Sequence, residues 1–221
     1  MHVRSVLIPI TATSRRDLIE RFAQLLVGLF LYGVALGFMV RGGIGVAPWD
    51  VLALGLVEQS GVGYGAMTVI VSLLVLLLWI PLRQRMGLGT VLNALLVGPS
   101  AALALAILPE PSSVWVGGAM FIFGLVLLAF ATGLYIAADF GPGPRDGLMT
   151  GLMRLTGWAV WLVRTLIEGS VLLLGFLLGG PVGIGTVLFA FGIGPLIGLF
   201  LPRITRRRQA RSQQLGELRP A

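Results

Sequence analysis

Sliding the chain against itself by 96 positions aligns residues 45–99 with 141–195 without a gap, and 20 of the 55 pairs are identical. Apolar sequence inflates chance identity, but the shared residues are not merely Leu and Val. Gly45, Pro48, Asp50, Leu52, Gly55 and Leu56 recur as Gly141, Pro144, Asp146, Leu148, Gly151 and Leu152. Gly87, Gly89, Thr90, Val91 and Leu92 recur as Gly183, Gly185, Thr186, Val187 and Leu188, and Gly98-Pro99 recurs as Gly194-Pro195. A chain that repeats one unit twice is expected to fold as two versions of one arrangement.

That unit belongs in a membrane. Apolar residues make up 57% of the 221 positions and charged ones 11%, against about a quarter charged in a soluble domain. Six stretches approach the ~20 apolar residues that cross a bilayer: 22–40, 66–82, 88–108, 114–138, 160–178 and 186–201. Two more, 48–59 and 144–155, are too short to cross a core of ~30 Å and are expected to be interfacial or re-entrant. The expected fold is an all-α membrane protein. It has a lead-in (residues 1–21), two three-span repeats (22–108 and 109–202) and a basic tail (203–221).

Loop charges give the orientation, since Arg gathers on the cytoplasmic side. Arg15, Arg16 and Arg21, then Arg83 and Arg85, then Arg145 and Arg154, and finally Arg203 and Arg206 to Arg208 fall on one side of the six spans. The loops at 109–113 and 179–182, on the other side, carry no Arg, and Arg41 alone dissents. Both termini are therefore expected in the cytoplasm. Three spans per unit is an odd number, which predicts that the second repeat is inverted. Trp79, Trp115, Trp158 and Trp161 fall near span ends, as in an interfacial belt.

The two P-x-D segments, Pro48-Trp49-Asp50 and Pro144-Arg145-Asp146, read as helix starts, with Pro in the first turn and Asp against the positive dipole end. Such starts are ordinary. Their recurrence on opposite sides is also what broken-helix transporter sites look like in sequence. Trp49 and Arg145 share one repeat position. The pairing of an aromatic face with a guanidinium suits a small organic anion; the simpler account is an interfacial anchor for Trp49 and a lipid-headgroup contact for Arg145.

Arg164 and Glu168 lie one turn apart within the fifth span, where ionisable groups are functional by default, although an i,i+4 pair also neutralises itself. Glu168 is the candidate proton or cation site. Thr68 and Ser72 hold the equivalent positions in the first repeat. Asn93, in the third span, is a candidate binding group or an interhelical contact. Gly98-Pro99 and Gly194-Pro195 are expected to kink or break the third and sixth spans. Gly28, Gly33 and Gly37, with Gly117, Gly118, Gly124 and Gly133, suit close helix approach.

All sixteen basic residues are Arg, there is no Cys, and the one His is His2. Disulfides, thiolate chemistry and His or Cys metal sites therefore lack material, and no metal, cofactor or catalytic residue is expected. The net charge of +7 resides largely in flanks suited to anionic lipid rather than nucleic acid. Expected partners are the bilayer and a small-molecule substrate; the oligomeric state is not legible.

With the G-x-A-P-W-D and G-x-G-P-R-D segments and the two G-x-G-T-V-L runs in view, residues 22–202 resemble the YczE/YyaS-type bacterial membrane proteins, related to the YitT-like group. The resemblance implies an inner-membrane protein of five or six spans and no particular substrate. Inverted repeats and short symmetric helices favour a secondary transporter or permease. No G-x-x-x-x-G-K-[ST] phosphate loop is present, so a gradient or a partner ATPase would drive it. The second reading is a membrane accessory or regulatory protein that docks a partner through 145–154 or the tail.

Overall fold

A computed structural model describes residues 15–217, with side chains through Arg206. Most of the expected lead-in and the last residues of the tail lie outside that range. The described residues form eight helices and no strand: α1 (Arg15–Gly42), α2 (Pro48–Ser60), α3 (Tyr64–Leu78), α4 (Leu88–Ile107), α5 (Val114–Ala138), α6 (Pro144–Thr156), α7 (Val160–Leu177) and α8 (Ile184–Glu217). Five of them are long and apolar enough to cross a membrane, and the bent pair α2–α3, which turns through 116°, makes a sixth candidate. Their outer surface is rich in exposed Leu, Ile and Phe, such as Leu77, Leu173 and Phe191, as expected of helices facing lipid.

Each short helix starts where the sequence says it should. Pro48 and Pro144 occupy the first turns, Asp50 and Asp146 follow within them, and Gly61 and Gly157 close the C-termini in the left-handed conformation. The third element ends early. Pro81 disfavours helix at Ile80 before it, so α3 stops at Leu78 instead of running to Leu82 and the chain turns through Trp79 to Arg83.

Every described residue with positive φ has its counterpart 96 positions away. The pairs are Gly43 with Asp139 (69° and 60°), Gly45 with Gly141 (112° and 111°), Gly61 with Gly157 (69° and 70°) and Arg83 with Gly179 (48° and 92°). At Gly45 and Gly141 a side chain would be doubly excluded. The backbone is strained for any L-residue, and a Cβ on Gly45 would lie 2.7 Å from the nitrogen of Gly183, while one on Gly141 would lie 3.2 Å from that of Gly87.

Those two contacts are reciprocal, since 45 touches 183 as 141 touches 87. The hydrogen bonds agree: Gly89 N–H donates to the Phe140 carbonyl at 2.8 Å and Gly185 N–H to the Ile44 carbonyl at 2.7 Å. The same loop contact is thus made twice, with the two repeats exchanging roles.

Loop contacts gather at two ends of the bundle. At one, Arg21 binds Asp139, Gln84 reaches Thr150, and Arg154 reaches the Leu82 carbonyl. At the other, Arg41 pairs with Glu110 at 3.5 Å and Gln59 donates to the Leu178 carbonyl at 3.0 Å. Arg41, the residue at odds with the loop-charge rule, is thus held by a carboxylate.

Small residues allow close approach along these helices, except, against expectation, at Gly118, where a Cβ would meet nothing within 4 Å. A Cβ on Gly42 would lie 2.6 Å from the Gly117 carbonyl, one on Gly124 2.8 Å from that of Ala35, and one on Gly37 2.5 Å from the Ala104 Cβ.

The break allowed for at Gly98-Pro99 and Gly194-Pro195 does not occur, since α4 and α8 are continuous through both; a membrane helix tolerates the lost donor where its neighbours support it. Trp79 is no part of an interfacial belt. It is fully buried and donates Nε1–H to the Pro144 carbonyl at 3.0 Å. Trp115, Trp158 and Trp161 are exposed, as a belt requires.

Candidate functional site

A cavity of about 120 Å³ lies at the middle of the bundle, lined from both halves. Six repeat pairs contribute both of their members to its wall: Tyr32 and Leu128, Trp49 and Arg145, Thr68 and Arg164, Ser72 and Glu168, Asn93 and Phe189, and Val97 and Ile193. Both repeats therefore present the same positions to one space.

The short helices build its charged side. The chain leaves α1 and α5 through the Gly45 and Gly141 turns, and α2 and α6 then begin against each other. Arg145, in the first turn of α6, reaches Asp50, in the first turn of α2, at 3.6 Å. Its guanidinium lies over the Trp49 ring, 5.2 Å from carbon to centroid. The two residues that share a repeat position are therefore stacked on each other, and Arg145 is already neutralised. A buried carboxylate needs such partners. Asp50, which is 1% exposed, also accepts a 3.0 Å hydrogen bond from the Tyr64 hydroxyl.

Asp146 lines the cavity and accepts a hydrogen bond from the Tyr135 hydroxyl. Arg164 and Glu168 form the expected one-turn pair, 2.9 Å from Nε to Oε1, on the same wall. Asn93 faces the cavity with them.

Of the residues singled out in the sequence, Trp49, Asn93, Pro144, Arg145, Asp146, Arg164 and Glu168 line the cavity. Asp50 stands behind Arg145, and Pro48 starts its helix. Gly98, Pro99, Gly194 and Pro195 are not on the wall.

The tyrosines belong to the site although no motif or repeat marks them. Tyr32, Tyr64 and Tyr135 are the chain's only three, and all gather here: Tyr32 packs edge to face on Tyr135 with centroids 6.0 Å apart. Tyr64 and Tyr135 are not repeat mates, yet each donates to one of the two repeat-related aspartates. Only Tyr32 carries a signal, as a hydroxyl well inside an apolar span that needs a partner; Tyr64 starts α3 and Tyr135 lies near the end of α5.

The halves differ at one seam. In the first, α3 lies on α4, and a Cβ on Gly65 would come within 2.7 Å of the Gly98 carbonyl. The corresponding positions are Trp161 in α7 and Gly194 in α8. Trp161 is exposed, and a Cβ on Gly194 would meet nothing within 4 Å.

The family of unknown function DUF6198 matches residues 19–202. An uncharacterized protein of Haemophilus influenzae is 40% identical over 82% of the chain and 84% of its own length. The uncharacterized membrane protein YczE of Bacillus subtilis is 30% identical over 86% of the chain and 89% of its own. The uncharacterized protein YyaS of the same organism is 26% identical over 81% and 92%. No solved structure matches the chain.

Proposed function

Since the chain belongs to the DUF6198 family, we propose that it is a secondary transporter or permease for a small solute, built from two inverted repeats in the bacterial inner membrane with both termini cytoplasmic. The observation that carries this reading is the central cavity. Ionisable side chains at that depth in a membrane bundle are costly and mark solute or ion pathways. This cavity has Arg145, Asp146, Arg164 and Glu168 on its wall and lies between the N-termini of two short helices, the arrangement of carriers that bind at the repeat interface.

The two seams support the same reading. In an alternating-access carrier the two halves take opposite states around a fixed site. Here α3 and α4 are shut at Gly65 and Gly98, while their counterparts Trp161 and Gly194 stand apart. No metal, cofactor or catalytic step enters, and Glu168 is the residue for a coupling proton or cation.

One feature favours the second reading, a membrane accessory protein. α8 continues beyond its apolar part through Arg203 and Arg206 to Glu217, which presents a helix for a partner. The two readings separate in proteoliposomes holding the full chain, assayed for uptake of a panel of labelled amines, carboxylates and amino acids. Transport predicts uptake of some member, lost in Glu168→Ala and kept when the chain stops at Ile204. Absence of uptake in the wild type, together with loss of cellular function on removing the tail, would establish the accessory role.

A further inference from the structure

We propose that the cavity takes a small organic cation, an alkylammonium, with Asp146 as its counter-charge. This rests on reading the cavity as a solute site and names the class of solute. Five ionisable groups meet around it. Arg145 is closed by Asp50 at 3.6 Å and by the face of Trp49, and Arg164 by Glu168 at 2.9 Å. Asp146 has the Tyr135 hydroxyl, but among the described residues no Arg lies within ion-pair distance of it.

The sum is one negative charge, and the carboxylate left over is on the cavity wall. The N-terminus of α6 supplies about half a positive charge to its first turn, which reduces that surplus without reversing it; the N-terminus of α2 faces Asp50, which is off the wall. A second positive group would therefore be welcome, and a second anion would not. The guanidinium that a carboxylate substrate would need is occupied.

The remaining wall agrees. Tyr32, Tyr135 and Phe189 bring aromatic rings to the same space, and rings beside a carboxylate attract ammonium groups through their negative faces. The volume of about 120 Å³ suits a short-chain or compact quaternary ammonium.

The test is calorimetric titration of the full chain in detergent with propylammonium chloride, tetramethylammonium chloride and sodium propionate at matched ionic strength. Saturable binding of at least one ammonium salt is expected, with none of propionate, and Asp146→Asn should weaken it about tenfold or more, as for loss of a charge-assisted contact. Binding of propionate alone, binding of no probe, or unchanged ammonium affinity in Asp146→Asn overturns the assignment. The wild-type comparison decides alone if that variant does not fold. The same probes in proteoliposomes separate the two claims. Ammonium binding without uptake of any solute removes the transporter and leaves this site; uptake of propionate without ammonium binding does the reverse.

Discussion

Arg145 and Trp49 occupy one and the same place in the two halves of the chain, and they touch each other: the guanidinium carbon of one lies 5.2 Å from the ring centroid of the other. A planar guanidinium stacks on an indole and still reaches a carboxylate, which a lysine ammonium does not do as well. Arg145→Lys is therefore expected to lower stability by about 1 kcal/mol although charge is conserved, read as a lower midpoint of thermal unfolding in detergent.

Asp50 is the buried partner of Arg145, with the Tyr64 hydroxyl on the same oxygen. Removing one member of a buried pair leaves the other uncompensated. Asp50→Ala should cost about 3 kcal/mol. Adding Arg145→Leu should recover much of that loss, and a double-mutant cycle on the unfolding midpoints gives the coupling. Additive losses would mean that the pair has no energetic identity.

The Trp79 ring packs directly on the backbone of Gly147. The indole is fixed by its hydrogen bond to the Pro144 carbonyl and lies where a Cβ on Gly147 would have to be. Gly147→Ala is expected to destabilise by about 1–3 kcal/mol, and Trp79→Phe in the same chain should restore part of it. An undiminished unfolding midpoint in Gly147→Ala would show that the ring moves freely.

Gly98 and Gly194 are repeat mates with opposite surroundings. A Cβ on Gly98 would overlap the Gly65 carbonyl, whereas one on Gly194 has open space. Gly98→Ala should part α3 from α4 and cost about 1–3 kcal/mol, while Gly194→Ala should be neutral or stabilising by up to about 1 kcal/mol from helix propensity. Equal effects at both positions would contradict the asymmetry of the seams.

Orientation in the membrane is checked by single cysteines, introduced into a chain that has none. Ser60→Cys and Gly180→Cys should react with an impermeant maleimide in intact cells, and Arg83→Cys and Gly157→Cys only after lysis. Reaction at Ser60→Cys and Gly157→Cys together would remove the inversion.

Much of this architecture was legible because its causes are local. Pro, Asp and Gly fixed the starts and stops of the short helices to within a residue, and span length follows from composition. The failures have one origin, in what lies across from a residue. Trp79 looks like an interfacial anchor until Gly147 and the Pro144 carbonyl are seen opposite it. Pro99 looks like a break until α4 is seen to continue through it. The site was half visible. Repeat mates and intramembrane charges pointed to Arg145, Asp146 and Glu168, but the pairing of Arg145 with Asp50, and of two unrelated tyrosines with two related aspartates, depends on distances between helices that no spacing in the chain encodes.

The reciprocal loop contacts carry a consequence for origins. Gly45 rests on Gly183 and Gly141 on Gly87, so a half-length ancestor would hold both sides of each contact in its own sequence, and two copies of it would close the same loops as a homodimer. In that dimer positions 49 and 145 would be one residue, and the cavity would face either two indoles or two guanidiniums. One guanidinium laid on one indole, with a single Arg164–Glu168 pair opposite Thr68 and Ser72, requires two distinct copies, which one fused chain supplies in a fixed ratio.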